Sequence, residues 1–403
     1  MNIGIIREGK VPPDFRVALT PIQCKRVQDI YPNVHISVQR SDIRTYSDDL
    51  YAQEGIELVD SLDHCDLIIG VKEVNLEDLI PNKSYMFFSH TFKKQSYNRV
   101  LLEEILKKNI RLIDYEVIKD KNNVRLIGFG RYAGIVGCYN GFRTYGLKHG
   151  LYELKPANQC ADRKEVEAEL KKVKLPNDFR LVLTGFGRVG HGAREITNLL
   201  PLKEVKPNDF LNATYDVPVY THLEVKDYFD KTDGGTFIRK EFYNQPELFQ
   251  QGFQKYLPKT DMYIPCHYWN SNSPKIITKE DLSSDSNRIS VIADISCDIA
   301  DPIASTLRPS KVASPIYGYN PITEEEDDYL KEGIVAVMAV DNLPCELPKD
   351  ASEDFGNELI KHVLPALLGD DPDRIIERAS QTSLNGKLMP DFEYLTNYVQ
   401  GLE

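Results

Sequence analysis

Three apolar runs in the first third of the chain each end in residues that carry charge or move protons. LIIGV (67–71) runs into Lys72 and Glu73. YMFF (85–88) runs into Ser89, His90 and Thr91, and the run 110–113 leads into Asp114, Tyr115 and Glu116. Histidine is the one side chain whose unperturbed pKa lies near neutrality. A single lysine after a strand is usually solvated, but three such ends brought together mark a pocket. A second stretch, LVLTGFGRVGHGAREITNLL (181–200), reads as strand, glycine turn and helix. Gly185, Gly187 and Gly190 allow a sharp turn and close approach to a pyrophosphate, with Arg188 and Val189 within the turn and the free N–H groups and positive end of the following helix facing the anion. In that context a G-x-G-x-x-G spacing predicts dinucleotide binding.

Parallel-sheet units are what position such residues. Continuous apolar runs of four or five residues, alternating with amphipathic stretches, read as strands buried on both faces of a parallel sheet. Ligands then sit beyond the carboxyl ends of the strands. Residues 2–6 read as a first strand. Thr20 is a good N-cap with Pro21 at the first helical position, predicting a helix over 21–30. Further strands are expected at 34–39, 67–71, 85–88, 110–113 and 124–129, the last carrying Arg125. The glycine-bearing stretch 132–150 reads as a helix. Strands are expected again at 261–266, 289–295 and 333–340, and 234–259 as an insertion with aromatic helices. A helix is expected over 352–368, with a polar tail after it. In 203–214 the acids Glu204 and Asp209 are candidates for a ribose ligand, though neither ends a strand cleanly, and Lys203 and Lys206 are candidates for a 2′-phosphate. The choice between NAD and NADP therefore stays open.

Composition excludes several classes. The chain has 403 residues, 41% hydrophobic and 27% charged, so two ordinary globular domains are expected. A net charge of −12 without basic blocks argues against nucleic acid and anionic membrane as partners. The acidic run 324–328 reads as a solvated loop or helix start. No stretch of about 18 apolar residues is present, and the opening MNIGIIREGK reads as a strand rather than a leader. Seven cysteines without C-x-x-C pairs suit reduced thiols, and eight histidines show no metal-ligand spacing, so no metal site and a cytoplasmic setting are expected. Nothing in the sequence speaks to oligomeric state.

REGKVPPDFRVALTP near the N-terminus resembles the opening of the alanine dehydrogenase, transhydrogenase and saccharopine dehydrogenase group. GVKE (70–73), FFSHTFKKQ (87–95), RLIDYE (111–116) and FGRYAGIVG (129–137) narrow the resemblance to the lysine-forming saccharopine dehydrogenases. Together with FYNQPELFQQGFQKY, PKIITKEDL, ADISCD and DNLPCELPKDASEDFG, they look closer still to the lysine–ketoglutarate reductase half of the bifunctional aminoadipic semialdehyde synthases. The resemblance implies two Rossmann-like α/β domains with parallel sheets and an active site in the cleft between them. It divides the chain into a substrate domain (1–130 plus 345–403) and a dinucleotide-binding domain (131–344). It implies NAD or NADP as cofactor and saccharopine, or lysine with 2-oxoglutarate, as small-molecule substrate. Residue by residue, Lys72 and His90 match the acid–base pair, and Glu73 and Glu116 match the acids that tune it. Arg16 and Arg125 match the arginines that hold substrate carboxylates, and Asp294 matches an acid near the nicotinamide. Lys72 would take a proton from the secondary amine, hydride would leave for the nicotinamide, and His90 would activate water to open the imine. Two departures stand out. The glycine motif is more regular than in the reductase half, and Val189 replaces the cysteine of the fungal enzymes, so no bond to Cys266 can form there. The rival readings are an alanine dehydrogenase-like or other opine-type oxidoreductase, and a non-catalytic nucleotide-binding sensor.

Overall fold

Strand β1 (Asn2–Ile5) is the centre of a six-stranded sheet, and its apolar residues are buried because neighbours lie on both sides. The computed structural model describes residues 1–299 and 301–402. They form two compact units, Met1–Phe129 with Pro348–Glu403, and Gly130–Leu347.

In the first unit, β2 (His35–Gln39), β3 (Glu57–Val59), β4 (Leu67–Ile69), β5 (Ser84–Phe87) and β6 (Arg111–Asp114) join β1 in the order β3-β2-β1-β4-β5-β6. Every pairing is parallel. The order reverses between β1 and β4, which is where doubly wound sheets open a crevice at their carboxyl edge. Helix α1 (Pro21–Ile30) starts as expected: Thr20 accepts from the N–H of Gln23, and the Gln23 side chain accepts from the N–H of Thr20. The short helix α2 (Asp48–Gln53) and α3 (Arg99–Lys107) follow. The helical segment Pro348–Leu368, with a π turn at Leu359–Val363, joins this unit's core. Its Phe355 stacks on Phe129 with centroids 4.4 Å apart and packs against Tyr115 and Phe88.

Two expectations fail in this unit. Residues 124–129 form no strand. Asp120 Oδ1 accepts from the N–H groups of Asn122 and Val124 in a tight turn, and Arg125 pairs with Lys119 in an isolated bridge rather than a strand. The free edge of β6 is taken instead by the C-terminal segment, through an antiparallel bridge between Ile113 and Ser380. The polar tail is therefore a built part of the unit, with short helices at Ile375–Ala379 and Thr396–Val399, and Phe392, Leu395 and Tyr398 buried against Leu102.

The second unit begins with α4 (Gly130–His149), apolar around most of its circumference and mostly buried. The helix α5 (Arg163–Glu169) leads to β7 (Arg180–Thr184), the glycine turn and α6 (Arg188–Thr197). The remaining strands are β8 (Lys203–Glu204), β9 (Val219–Leu223), β10 (Phe229–Lys231), β11 (Phe249–Gln251), β12 (Met262–Pro265), β13 (Val291–Ala293), β14 (Ile316–Tyr319), β15 (Glu326–Asp327) and β16 (Val335–Met338). The sheet order is β15-β14-β16-β13-β12-β7-β9-β8, parallel from β8 to β16 and antiparallel at β14 and β15. Helices α4 and α6 approach through glycines: a Cβ at Gly134 would lie 1.9 Å from the Val189 carbonyl oxygen, and one at Gly192 would lie 2.0 Å from that of Arg131.

Three further expectations are corrected here. The stretch 203–214 holds a two-residue edge strand and a helix, Pro207–Asn212, while the strand beside β7 is β9. The insertion 234–259 is built on the antiparallel β10–β11 pair, with one short α-helix, Arg239–Asn244, and 3₁₀ turns. The acidic run 324–328, expected as a solvated loop or helix start, is exposed but for half-buried Asp327, and its Glu326–Asp327 pair forms the edge strand β15. Among the described residues no helix is long and apolar enough to cross a membrane.

Candidate functional site

In the second unit, the turn after β7 needs its glycines for separate reasons. Gly185 has φ +93°, and a Cβ there would lie 2.4 Å from the Cys266 carbonyl oxygen. Gly190 lets α6 close on the turn, since a Cβ would lie 1.8 Å from the Gly185 carbonyl oxygen. Gly187 faces open space, with nothing within 4 Å of its Cβ position, at the N-cap of α6. A bare backbone and a helix N-terminus beside open space fit a pyrophosphate. Gly185, Gly187, Arg188 and Val189 line a groove of 560 Å³ together with Glu224 and Arg239.

Glu224 is the residue that the sequence reading missed. It follows β9, the strand adjacent to β7, in the position where dinucleotide folds place a ribose-binding acid. Arg239 from the insertion reaches it at 2.8 Å and Lys226 at 3.5 Å. Glu204 instead pairs with Arg194 and accepts from Tyr220, and Asp209 lies inside the helix Pro207–Asn212, so neither is part of the groove lining. Lys203 lies over the Tyr215 ring and Lys206 caps that same helix, so both expected phosphate partners are also outside it. Asp294 is fully buried. Its oxygens accept from Ser296 Oγ (2.6 Å), the Cys297 N–H (3.1 Å) and Thr306 Oγ1 (2.6 Å). Burial raises its pKa. Those bonds make it a turn anchor at the end of β13 rather than a free ligand for substrate.

In the first unit, the carboxyl ends of β1, β4, β5 and β6 bring their polar residues together. His90 Nδ1 lies 2.6 Å from Glu73 Oε1, and Lys10 donates to Glu73 Oε2 at 2.5 Å. Burial works to raise the Glu73 pKa, but the bonds from His90 and Lys10 prevail and hold it at about 2. Glu73 is thus an anion across the working range, and it fixes the ring orientation of His90. His90 also stacks on Phe88, and its Nε2 lies 4.0 Å from Glu116 Oε2. Glu116 in turn pairs with Lys93 at 2.8 Å and with Arg125 at 3.6 Å.

Lys72 is held by its backbone. Glu8, two residues past the expected first strand, accepts from the N–H groups of Val71 (2.7 Å) and Lys72 (2.9 Å), and burial pushes its carboxyl up to about 7. Gly70 leaves room for this, because a Cβ there would lie 2.8 Å from Ile6 and 3.3 Å from Glu8 Oε1. Burial first, then the cation of Arg16, lowers the Lys72 pKa, so more of it is neutral amine near pH 7. Arg16 is buried, bound in a fork to Asp14 and stacked over Phe129 at 4.2 Å. Arg125 is about a third exposed, anchored by Nε to the Ile127 carbonyl oxygen. The structure therefore gathers Lys72, Glu73, His90, Glu116, Arg16 and Arg125 on one unit. It adds Glu8, Lys10, Asp14 and Lys93, whose only sequence signal was their place inside REGKVPPDFR and HTFK.

The chain is similar to known proteins in both sequence and fold. The alanine dehydrogenase/PNT N-terminal domain family matches residues 4–136. The chain is 31% identical over 401 residues to the alpha-aminoadipic semialdehyde synthase of Arabidopsis thaliana, covering 89% of this chain and 37% of that one. It is 29% identical to the mitochondrial alpha-aminoadipic semialdehyde synthase of Bos taurus, covering 98% and 47%. The chain thus spans less than half the length of these synthases. It is 24% identical over 380 residues to the NAD(+), L-lysine-forming saccharopine dehydrogenase of Yarrowia lipolytica, covering 90% of each. Among solved structures, an L-alanine dehydrogenase superposes with a TM-score of 0.66 at 17% identity over the whole of both chains. A transhydrogenase from Sinorhizobium meliloti gives 0.58 at 12% identity, over 96% of this chain and 100% of that one. The structural neighbours share the two-domain Rossmann-like fold, and the sequence relatives make the chain a homologue of the saccharopine dehydrogenases and the semialdehyde synthases.

Proposed function

We propose that this homologue of the lysine-forming saccharopine dehydrogenases is a nicotinamide-dependent oxidoreductase that interconverts saccharopine with L-lysine and 2-oxoglutarate. The observation that carries the reading is the pair of unlike groups on one sheet edge: an amine pushed toward its neutral form at Lys72, and an imidazole clamped by a permanent carboxylate at His90. Reactions at a C–N bond need both a base for the amine proton and a group that gives and takes a proton from water.

Gly185, Gly187 and the N-terminus of α6 hold the dinucleotide, with Arg188 and Val189 beside it. When bound, the nicotinamide supplies a hydride acceptor or donor. The chain's own residues do the rest. In the oxidative direction the Lys72 amine takes the proton from the secondary amine. His90 Nε2 takes a proton from the water that adds to the C=N carbon, and the imidazolium is stabilised by the Glu73 anion on its other nitrogen. That proton returns to the departing lysine nitrogen as the carbinolamine collapses, and the hydroxyl proton released from the new carbonyl oxygen passes to His90. Arg125 holds a carboxylate of the substrate, as guanidinium groups do, while Arg16, buried and forked to Asp14, acts on Lys72 through its charge. Glu116 tunes the pair through its 4.0 Å approach to His90.

Following reduced-cofactor absorbance with lysine and 2-oxoglutarate, and in reverse with saccharopine, tests the proposal with both NAD and NADP forms. Turnover with lysine plus 2-oxoglutarate supports it. Turnover only with pyruvate and ammonia favours an alanine dehydrogenase-type reaction instead. Cofactor binding without turnover on any amino acid and 2-oxo acid pair favours a sensor.

A further inference from the structure

His90 sits in the left-handed backbone region, with φ 55° and ψ 6°. For a residue with a side chain this is strained backbone, which persists only where neighbours enforce it. The enforcement is visible. Ser89 and Thr91, on either side of His90, are fully buried, with their hydroxyl oxygens 2.7 Å apart. Asp114 Oδ2 accepts from the Ser89 N–H at 2.9 Å and from its hydroxyl, while Asp114 Oδ1 accepts from the Glu116 N–H at 2.7 Å. One carboxyl group thus ties the His90 turn to the Glu116 turn.

The ring is completed from the C-terminal segment. Gln381, fully buried, accepts from Thr91 Oγ1 at 2.7 Å and donates through Nε2 toward Ser89 Oγ and Asp114 Oδ2, each at 3.2 Å. Its own backbone is pinned to β6, with its N–H on the Leu112 carbonyl oxygen and the neighbouring Thr382 hydroxyl accepting from the Leu112 N–H. A glutamine is the side chain suited to this task, since its amide offers an acceptor for Thr91 and donors for Ser89 and Asp114 at once.

We propose that Gln381 is a positioning residue for His90: the segment after Ile375–Ala379 straps onto β6 so that Gln381 closes the hydrogen-bond ring holding His90 in its left-handed turn against Glu73. This rests on the reading of His90 as the acid–base group. The charged groups facing His90 are Glu73 and Glu116, with Lys10 on the first and Lys93 and Arg125 on the second. None lies on the C-terminal segment, so Gln381 acts by geometry rather than by charge.

The test compares Gln381→Met, which keeps the length and removes the bonds, with Thr91→Val, which removes one hydroxyl from the ring. Each is made in the wild-type chain and in His90→Gln, with folding checked by circular dichroism and thermal unfolding. Displacing a catalytic group by about 1 Å costs up to roughly a hundredfold, so kcat should fall about 10- to 100-fold in Gln381→Met and in the same direction, by less, in Thr91→Val. Dinucleotide affinity should be unchanged. In the His90→Gln background the Gln381 change should add little, because the group it positions is gone. Folded variants with wild-type kcat and pH profile overturn the proposal, as does a kcat loss that multiplies fully with that of His90→Gln. If His90→Gln itself turns over at the wild-type rate, the acid–base reading falls, and the positioning role falls with it.

Discussion

Replacing Glu224 by glutamine should loosen the choice between the two nicotinamide dinucleotides. A carboxylate at the end of the strand beside the glycine turn accepts from ribose hydroxyls and repels a 2′-phosphate. Two unit charges about 4 Å apart interact by about 4 kcal/mol at an effective dielectric near 20 and by about 1 kcal/mol in bulk water. The Glu224 side chain is 34% exposed, so the repulsion belongs toward the lower end, about 1–2 kcal/mol. Arg239 and Lys226 are more exposed still, and such pairs contribute only about 0.2–1 kcal/mol each, too little to cancel it. Glutamine retains an oxygen to cap the Asp227 N–H, which Glu224 does now, so the local turn survives. The expected result is a gain of roughly 5- to 30-fold in kcat/KM with the NADP form and a loss of about fivefold with the NAD form, measured by initial rates and by calorimetric binding. An unchanged ratio between the two, or an equal fall in both, would refute the placement of Glu224 beside the ribose.

Three other perturbations follow from the geometry. Lys72→Met and His90→Gln should each cut kcat by about 100-fold or more while dinucleotide affinity holds, as read by steady-state rates and direct binding. Gly185→Ala places a Cβ on the Cys266 carbonyl at φ +93°; it should lower the unfolding midpoint of the second unit and weaken dinucleotide binding by tenfold or more, seen by calorimetry. Glu73, with its pKa lowered to about 2 from an ordinary 4.5, adds stability that is full above pH 4.5 and is lost as pH falls toward 2. Glu73→Gln should flatten that part of the urea-unfolding profile between pH 5 and 2, and an unchanged slope would count against the ion pairs drawn here.

The parts of the fold legible in the sequence were those where burial on both faces forces an unbroken apolar run. Strands β1, β4, β5 and β6 are such runs, and the polar residues after them meet at the candidate site because the sheet order turns at β1 and β4. The Thr20–Pro21 helix start was equally local. What stayed hidden lay in residues whose polarity is satisfied at a distance. β9 is fully buried yet reads VYTHL, and its His222 is accommodated by a 2.6 Å bond to the Gly185 carbonyl oxygen, a partner 37 positions away. Hence no apolar run marks this strand in the sequence, nor Glu224 after it. Ser380, Gln381 and Thr382 are buried polar residues whose partners lie on β6 and the His90 turn, so no periodicity betrays them. Glu8 looked like part of a polar loop because the two N–H groups it serves are more than 60 residues downstream.

The split of the first unit also has a consequence for the order in which the protein is made. Its six strands leave the ribosome long before Phe355 and the Ser380 bridge exist, because the whole of Gly130–Leu347 must be synthesised in between. At about 5–20 residues per second that interval is roughly 10–40 s. During it, β6 presents an unpaired edge and the aromatic cluster around Phe88 lacks its last member, the kind of surface that chaperones bind and that aggregates when they do not. The contiguous second unit can fold as it emerges. Nascent chains stalled before Pro348 should therefore be the chaperone-dependent species, and nascent chains released after the C-terminal strap should not.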